Sequence, residues 1–543
     1  MYSRKIARAV ALAAVVAVAA VASAPATAEH EGPWHTTQSV VTPEGAPIQT
    51  IAGLIGGGGN AISADGNVVA YVGPAPEDYP DCTTTACWTF YATDMTTDES
   101  TVVGIAWDAD VPSIILPVPV ISDDGRFLMR GMEGQLVRTE IETGQSVIVS
   151  VSSGGTNSNA GGGDASLSAD GRYVAFASLA SNLVAGDDND CPSSAPTCSD
   201  IFVRDVESGT TERVSVASDG SQANERSLDP DISADGRYVV FTSQASDLAE
   251  GDRVCTPLGV PDCEDVFRHD RTTGETVLVS ANTLGIPGNA SSINPAVSAD
   301  GRYVAFSSLA SDLVANDTNG DNDIFVRDMV SGSTERISVR ANGSETSDGF
   351  GSNNPTISDD GRRVAFDSDS ADLDPGASDN CNPVKCRDIF VRELATGETF
   401  KANVSLGGAH SDRRSFDPVI AAGGRHVMFS SGSDKLIEGV VGGMFIAERE
   451  GFAWGDFDCD GAEDAGDALI FLETLAGLLD PPDCLATGSI VNTSAGVQDW
   501  GDWDCNGAML VADIIPLLRH AALLETGGPE CPVVSSTVFP FGI

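Results

Sequence analysis

Ser168-Ala-Asp-Gly-Arg-Tyr-Val-Ala-Phe176 decides the fold, because the phrase recurs along the chain. Residues 233–241 and 298–306 nearly copy it, and residues 358–366 read S-D-D-G-R-R-V-A-F. Weaker copies start at Ser63 and Ser122, and a decayed one at Ala421. The shared glycines Gly66, Gly125, Gly171, Gly236, Gly301, Gly361 and Gly424 mark seven units of about 60 residues each, and a fixed period of that kind signals a repeat architecture.

Within a unit, Asp-Gly supplies a tight turn, since Gly takes a positive φ without cost. The following Tyr-Val-Ala-Phe is apolar on both faces, as in a strand buried from both sides. A second strand follows at Asp200–Asp205 and Asp323–Asp328, with Asp388–Glu393 close to it. A Ser-Gly or Thr-Gly turn then leads to a third strand, as at residues 211–216. A polar loop leads into a strand ahead of the next Asp-Gly. Two of these entries are Asp229-Pro230 and Asn294-Pro295, and Pro is tolerated at a strand's first residue. Four strands per unit, seven units and no helical period predict an all-β, seven-bladed β-propeller of four-stranded blades over residues 29–450.

The units resemble the TolB-type propeller repeat, a relative of WD-repeat blades, over roughly residues 36–450. The resemblance implies a fold and not an activity. The last unit lacks its outer strand after residue 449. The spare segment Thr37-Gln-Ser-Val-Val41 ahead of the first unit is expected to supply it and close the ring.

With strands A to D named from the axis outward, the Asp-Gly and Ser/Thr-Gly turns share one face. The long B–C and D–A loops share the other, where function usually sits on a rigid scaffold. The acidic run 187–190 and the alternating Asp317, Asn319, Asp321 and Asp323 lie in B–C loops. Oxygens two residues apart suit a hard cation, so the second run is a candidate weak calcium site beside the plainer reading of a solvated loop. His410, next to Asp412 and Arg413, reads as exposed decoration rather than a general base. No G-x-S-x-G elbow appears, and the Ser-x-Asp-Gly turn lacks the spacing of a sialidase Asp-box.

The chain opens with Arg4, Lys5 and Arg8, an Ala/Val run and Ala26-Thr27-Ala28, which predicts a signal peptide over 1–28 and no membrane span in the mature chain. Twelve Cys fit an oxidising compartment. The close pairs Cys82/Cys87, Cys191/Cys198, Cys255/Cys263 and Cys381/Cys386 read as local disulfides in B–C loops rather than zinc ligands. A net charge of −49 excludes nucleic acid as a natural partner.

Composition changes at Phe452. Trp454-Gly-Asp-Phe-Asp-Cys-Asp-Gly461 and Trp500-Gly-Asp-Trp-Asp-Cys-Asn-Gly507 repeat each other. Asp456, Asp458, Asp460, Ala462, Asp464 and Asp467 form the first candidate calcium loop, with Ala462 offering its carbonyl. Asp502, Asp504, Asn506, Ala508 and Asp513 form the second. An apolar helical pattern follows each loop. A loop plus one exiting helix, twice, with Asp at position 12, resembles the type I dockerin. A small α-helical, dockerin-like domain is therefore expected over 451–535, with a tail over 536–543 and a cohesin-like partner implied by the resemblance. Positions 10 and 11 depart from the Ser-Thr of clostridial dockerins, being Ala465-Gly466 and Val511-Ala512. The duplication also pairs Cys459 with Cys484 and Cys505 with Cys531.

These readings predict a secreted or cell-envelope, non-catalytic binding or adaptor protein. Its propeller would take an extracellular protein or glycan on the long-loop face. The alternative is a secreted carbohydrate-active enzyme, a polysaccharide hydrolase or lyase, carrying the dockerin-like module. Against that reading, no paired acid/base signature distinguishes any blade. A TolB-like partner of envelope machinery is a third reading, though TolB itself carries no dockerin.

Overall fold

The Ser-x-Asp-Gly phrase folds into one repeated turn. In the third blade the Ser168 hydroxyl donates to Asp170 Oδ1 at 2.9 Å, which also accepts the Arg172 N–H at 2.9 Å. The Tyr173 N–H returns to Ser168 Oγ at 2.9 Å, and Gly171 takes a φ of 66°. The same bonds recur at Ser63/Asp65, Ser122/Asp124, Ser233/Asp235, Ser298/Asp300 and Ser358/Asp360. The turn thus satisfies its own polar groups and is free to stack.

It stacks around an axis. Ala169 N donates to Ala234 O at 3.1 Å, Ala234 N to Ala299 O at 3.2 Å, Ala299 N to Asp359 O at 3.0 Å and Asp359 N to Ala422 O at 3.0 Å. Gly423 N then donates to Ala64 O at 3.1 Å, Ala64 N to Asp123 O at 2.9 Å, and Asp124 N to Ala169 O at 3.3 Å. Each blade's turn is therefore bonded to the next until the circle closes. Side chains lock the same seam. A Cβ on Gly301, at φ 71°, would fall 2.1 Å from the Tyr238 ring of the preceding blade, so the position has room for glycine alone.

This is a computed structural model, and it describes residues 34–40, 61–75, 87–97, 99–108, 119–132, 134–187, 198–249, 264–346, 351–373, 386–449, 490–493, 496–499 and 540–541. One compact unit spans Trp34–Glu448 and the other joins Met1–Pro33 with Arg449–Ile543. The first unit is a seven-bladed β-propeller. Blade three is Gly162–Leu167, Tyr173–Ser178, Asp200–Asp205 and Thr210–Arg213 from the axis outward, paired in that order. Blades four to six repeat it at Ser227–Ile232 to Glu275–Leu278, Ser292–Val297 to Ser333–Arg336 and Ser352–Ile357 to Glu398–Lys401. Blade two is shorter inside, with a two-residue inner strand Val120–Ile121. Blade one pairs Val68–Pro74, Cys87–Asp94 and Glu99–Asp108, and among the described residues Ile62 bridges to Val69 on its inner side.

The seventh blade takes Ser415–Ile420, His426–Ser431 and Gly443–Arg449 from the end of the unit and Trp34–Ser39 from its beginning. The closing strand starts three residues before the expected Thr37. Its anchor is Trp34, buried at 2% exposure among Phe429, Phe445 and Val391.

Between blades the core is a ladder of rings. The second and third strands stack Phe176 on Phe202, Phe241 on Phe267, Phe306 on Phe325, Phe366 on Phe390 and Phe429 on Phe445 at 5.8–6.0 Å. At the turn end, Arg172, Arg237 and Arg302 form two-pronged ion pairs with Asp205, Asp270 and Asp328.

In the second unit the described residues form a three-stranded sheet, Gly496–Asp499 and Pro540–Phe541 flanking Ile490–Thr493. The expected loop-plus-helix segments and the signal segment lie outside the described residues, and no helix occurs among those described there. Among the described residues of the whole chain, no helix is long and apolar enough to cross a membrane.

Candidate functional site at the channel mouth

The face of Asp-Gly turns is closed and self-satisfied. The opposite end of the innermost strands is not regular. Asp229, Asn294, Asn354 and Asp417 hold φ values of 49°, 54°, 52° and 54°, a left-handed region costly for residues other than glycine. Each stands at the same repeat position, immediately before a proline, and each lies where the pairing to the second strand shifts register. Asp164 fills the position in blade three. Five polar side chains on neighbouring blades thus ring the axis near the long-loop face.

The ring is linked across blades. Asn294 Nδ2 donates to Asn354 Oδ1 at 3.1 Å, and Asn354 Nδ2 to Asp417 Oδ1 at 3.2 Å and to Asp367 Oδ2 at 2.9 Å. The Asp417 N–H also reaches Asp367 Oδ2, at 3.3 Å. On this side Arg387 balances charge, 3.4 Å from Asp367 and 2.6 Å from Asp369. On the other side Arg226 pairs with Glu264 at 3.0 Å, and its charge opposes burial at Asp229 without overcoming it. Burial pushes Asp229 up to about 6, the Asp164 and Glu264 charges add to it, and the Thr242 hydroxyl opposes it. Burial also raises Asp164 and Asp417, and pushes Asp367 up to about 6 against the pull of Arg387.

At the rim, Phe416 lies under two guanidiniums, Arg387 at 5.6 Å and Arg414 at 5.2 Å from its centroid. Both arginines converge on Asp369, Arg414 at 2.7 Å. The arrangement brings carboxylate and amide oxygens, amide donors, guanidinium donors and one aromatic ring together on adjoining blades.

The calcium candidates fall elsewhere. Asp317 and Asp323 converge on the guanidinium of Arg336, at 3.0 and 3.1 Å, and Glu345 joins them at 3.3 Å. Asn319 donates to Asp323 at 3.3 Å and accepts the Asp321 N–H at 3.1 Å. A side-chain cation thus stands where these carboxylates meet. Of the run 187–190, Asp187 is described, 3.4 Å from Arg213. His410 is half-buried, bridged to Val404 in a blade-edge hairpin and not at the channel. Asp456, Asp458, Asp460, Ala462, Asp464, Asp467, Asp502, Asp504, Asn506, Ala508 and Asp513 all lie outside the described residues. Cys87, Cys198 and Cys386 are disulfide-bonded, and their expected partners Cys82, Cys191 and Cys381 lie outside the described residues.

The polar ring went unread in the sequence, although its signal was there. Asp or Asn before Pro recurs at positions 229, 294, 354 and 417. The proline explains the strand entry, but the residue before it carries the chemistry.

Strand order and ring define a class, a seven-bladed β-propeller with a polar channel mouth. No protein-family model matches the chain, and neither does any curated protein. Among solved structures, the chain is similar to an oligogalacturonate lyase from Vibrio parahaemolyticus, at 13% identity and a TM-score of 0.44, over 77% of this chain and 98% of that one. It is also similar to TolB from Acinetobacter baumannii, at 14% identity and a TM-score of 0.32, over 71% of this chain and 81% of that one.

Proposed function

We propose that the protein is a secreted binding or adaptor protein whose propeller takes an extracellular glycan or protein at the channel mouth. The observation that carries this reading is the ring itself. Four residues held in the same strained conformation at one repeat position are costly to fold, and strain of that kind collects where a scaffold presents groups to a ligand. In the same reading, the two C-terminal loops hold calcium through Asp456, Asp458, Asp460, the Ala462 carbonyl, Asp464 and Asp467, and through Asp502, Asp504, Asn506, the Ala508 carbonyl and Asp513. Calcium would order a dockerin-like module that docks the chain to a cohesin-like partner.

An enzyme reading would rest on Asp164 and Asp229, two neighbouring carboxyls raised by burial and able to exchange protons. One experiment separates the two. The purified full chain is screened on polysaccharide and glycan arrays, with calcium and with a chelator, and soluble products are measured alongside retention. The binding reading expects retention at a defined component without shortened products. Depolymerisation that Asp229→Asn abolishes would replace it with the enzyme.

A further inference from the structure

Blades three to six share a buried polar centre at their outer edge. The third strand begins with an aspartate in each: Asp200, Asp265, Asp323 and Asp388. In three of them its Oδ1 accepts a serine hydroxyl just beyond the outer strand, from Ser215 at 2.6 Å, Ser280 at 2.6 Å and Ser338 at 2.5 Å. Each serine oxygen in turn accepts a strand N–H, from Ile201 at 3.1 Å, Val266 at 3.0 Å and Ile324 at 3.0 Å. Two residues before the serine stands Arg213, Leu278 or Arg336, the arginines pairing with the aspartate's other oxygen at 3.6 and 3.1 Å.

Blade six changes both residues. Lys401 replaces the arginine and Asn403 the serine. Lysine is rare here, with four in the whole chain, and the cation of this network in blades three and five is arginine. Lys401 Nζ lies 2.6 Å from Asp388 Oδ2. Asn403 Nδ2 donates to Asp388 Oδ1 at 2.7 Å, and Asn403 Oδ1 accepts the Ile389 N–H at 3.2 Å. Asn403 is fully buried, and the Lys401 side chain is 5% exposed. An amine and a carboxamide are thus held out of water, and one carboxylate, 14% exposed, touches both.

We propose that Lys401 and Asn403 join in an intramolecular isopeptide bond, with Asp388 carrying the protons. Asp388 Oδ2 takes a proton from the Lys401 ammonium, which turns a buried ion pair into a neutral amine and a neutral acid. The amine lone pair forms a bond to Asn403 Cγ, and the carbonyl electrons move onto Oδ1. The Ile389 N–H already points at that oxygen and stabilises the charge it gains. Asp388 delivers its proton to Nδ2 and receives one from Nζ. The Cγ–Nδ2 bond breaks, ammonia leaves, and an amide remains. No oxidant or other reactant is needed. The sister blades lack the reaction for a chemical reason. A guanidinium stays protonated and is no nucleophile, and serine carries no acyl group to attack. The two-residue spacing of Lys401 and Asn403 sets both side chains on one side of the extended segment.

Tryptic peptide mapping of the reduced, denatured full chain tests this directly. Cleavage sites follow Arg392, Lys401 and Arg413. The bond predicts that residues 393–413 are recovered as one peptide, uncut after Lys401 and lighter by one ammonia. Separate peptides 393–401 and 402–413 at full mass overturn it. So does loss of ammonia with normal cleavage after Lys401, which would mark a succinimide at Asn403. Lys401→Arg keeps the ion pair of the sister blades and should restore both cleavage and mass. Asp388→Asn should leave Lys401 unlinked, and a cross-link surviving that change would remove Asp388 from the chemistry.

Discussion

Deleting residues 29–41 is expected to leave a propeller that aggregates or melts at a far lower temperature. The deletion removes the outer strand of the seventh blade. Thr36 N donates to Val404 O at 2.6 Å and Val40 N to Met444 O at 3.0 Å, and both bonds disappear. Trp34 and Val40 leave two separate core clusters on opposite faces of the seventh blade, one shared with blade six and the other with blade one. A buried Trp→Ala change alone costs roughly 3–5 kcal/mol. The strand Gly443–Arg449 would also become an open edge, ready to pair with another chain. Trp34→Ala is the milder probe, since it keeps the strand and empties the anchor. Calorimetry of the three proteins should rank them wild type, Trp34→Ala, deletion. An unchanged melting temperature in the deletion would mean the ring is held by its other seams.

Acidification should stabilise the propeller. Asp200, Asp229, Asp231, Asp265, Asp359 and Asp367 are each pushed up to about 6, burial being the largest cause. Their ordinary value, and that of the unfolded chain, is 3.8. The folded state therefore binds protons that the unfolded state does not, and stability rises as pH falls from above 6 toward 4. Asp205, Asp270 and Asp328 act in the opposite sense. The guanidiniums of Arg172, Arg237 and Arg302 hold them well below the carboxylate range. Their contribution is complete above 3.8 and is lost as pH falls below it. The maximum should lie between about pH 4 and 5. One fully buried carboxyl displaced this far is worth up to roughly 3 kcal/mol, and several are involved. The melting temperature should climb by at least a few degrees between about pH 7.5 and 5. The chain's net charge of −49 also falls on acidification, so the scan belongs in high salt, where that repulsion is screened. A flat or falling curve there would show that these carboxyls do not titrate as buried groups.

The blades were legible because their information is local. Asp-Gly fixes a turn, the apolar run after it fixes a buried strand, and Asp200–Asp205, Asp323–Asp328 and Asp388–Glu393 fall where the sequence puts them. The inner strands of blades one and two are faint in the sequence, and among the described residues they pair through Ile62 and Val120–Ile121. The candidate site was hidden for another reason. Asn294, Asn354 and Asp417 meet across about 60 residues of chain each time, and only closure around an axis brings them together. The Asp317 loop shows the converse. Its alternation is a local cation signal, but the cation that meets it, Arg336, comes from the outer strand of the same blade.

The proposal that the channel mouth is the binding site is tested most directly by one comparison. The component retained by the full chain on the arrays is titrated into the wild type, Asn354→Ala and Asp229→Asn. If the ring binds the ligand, both variants lose affinity at least tenfold, about 1.4 kcal/mol, while their melting temperatures stay at or above that of the wild type for Asp229→Asn and within a few degrees of it for Asn354→Ala. Full affinity in both variants would place the ligand away from the channel and contradict the account.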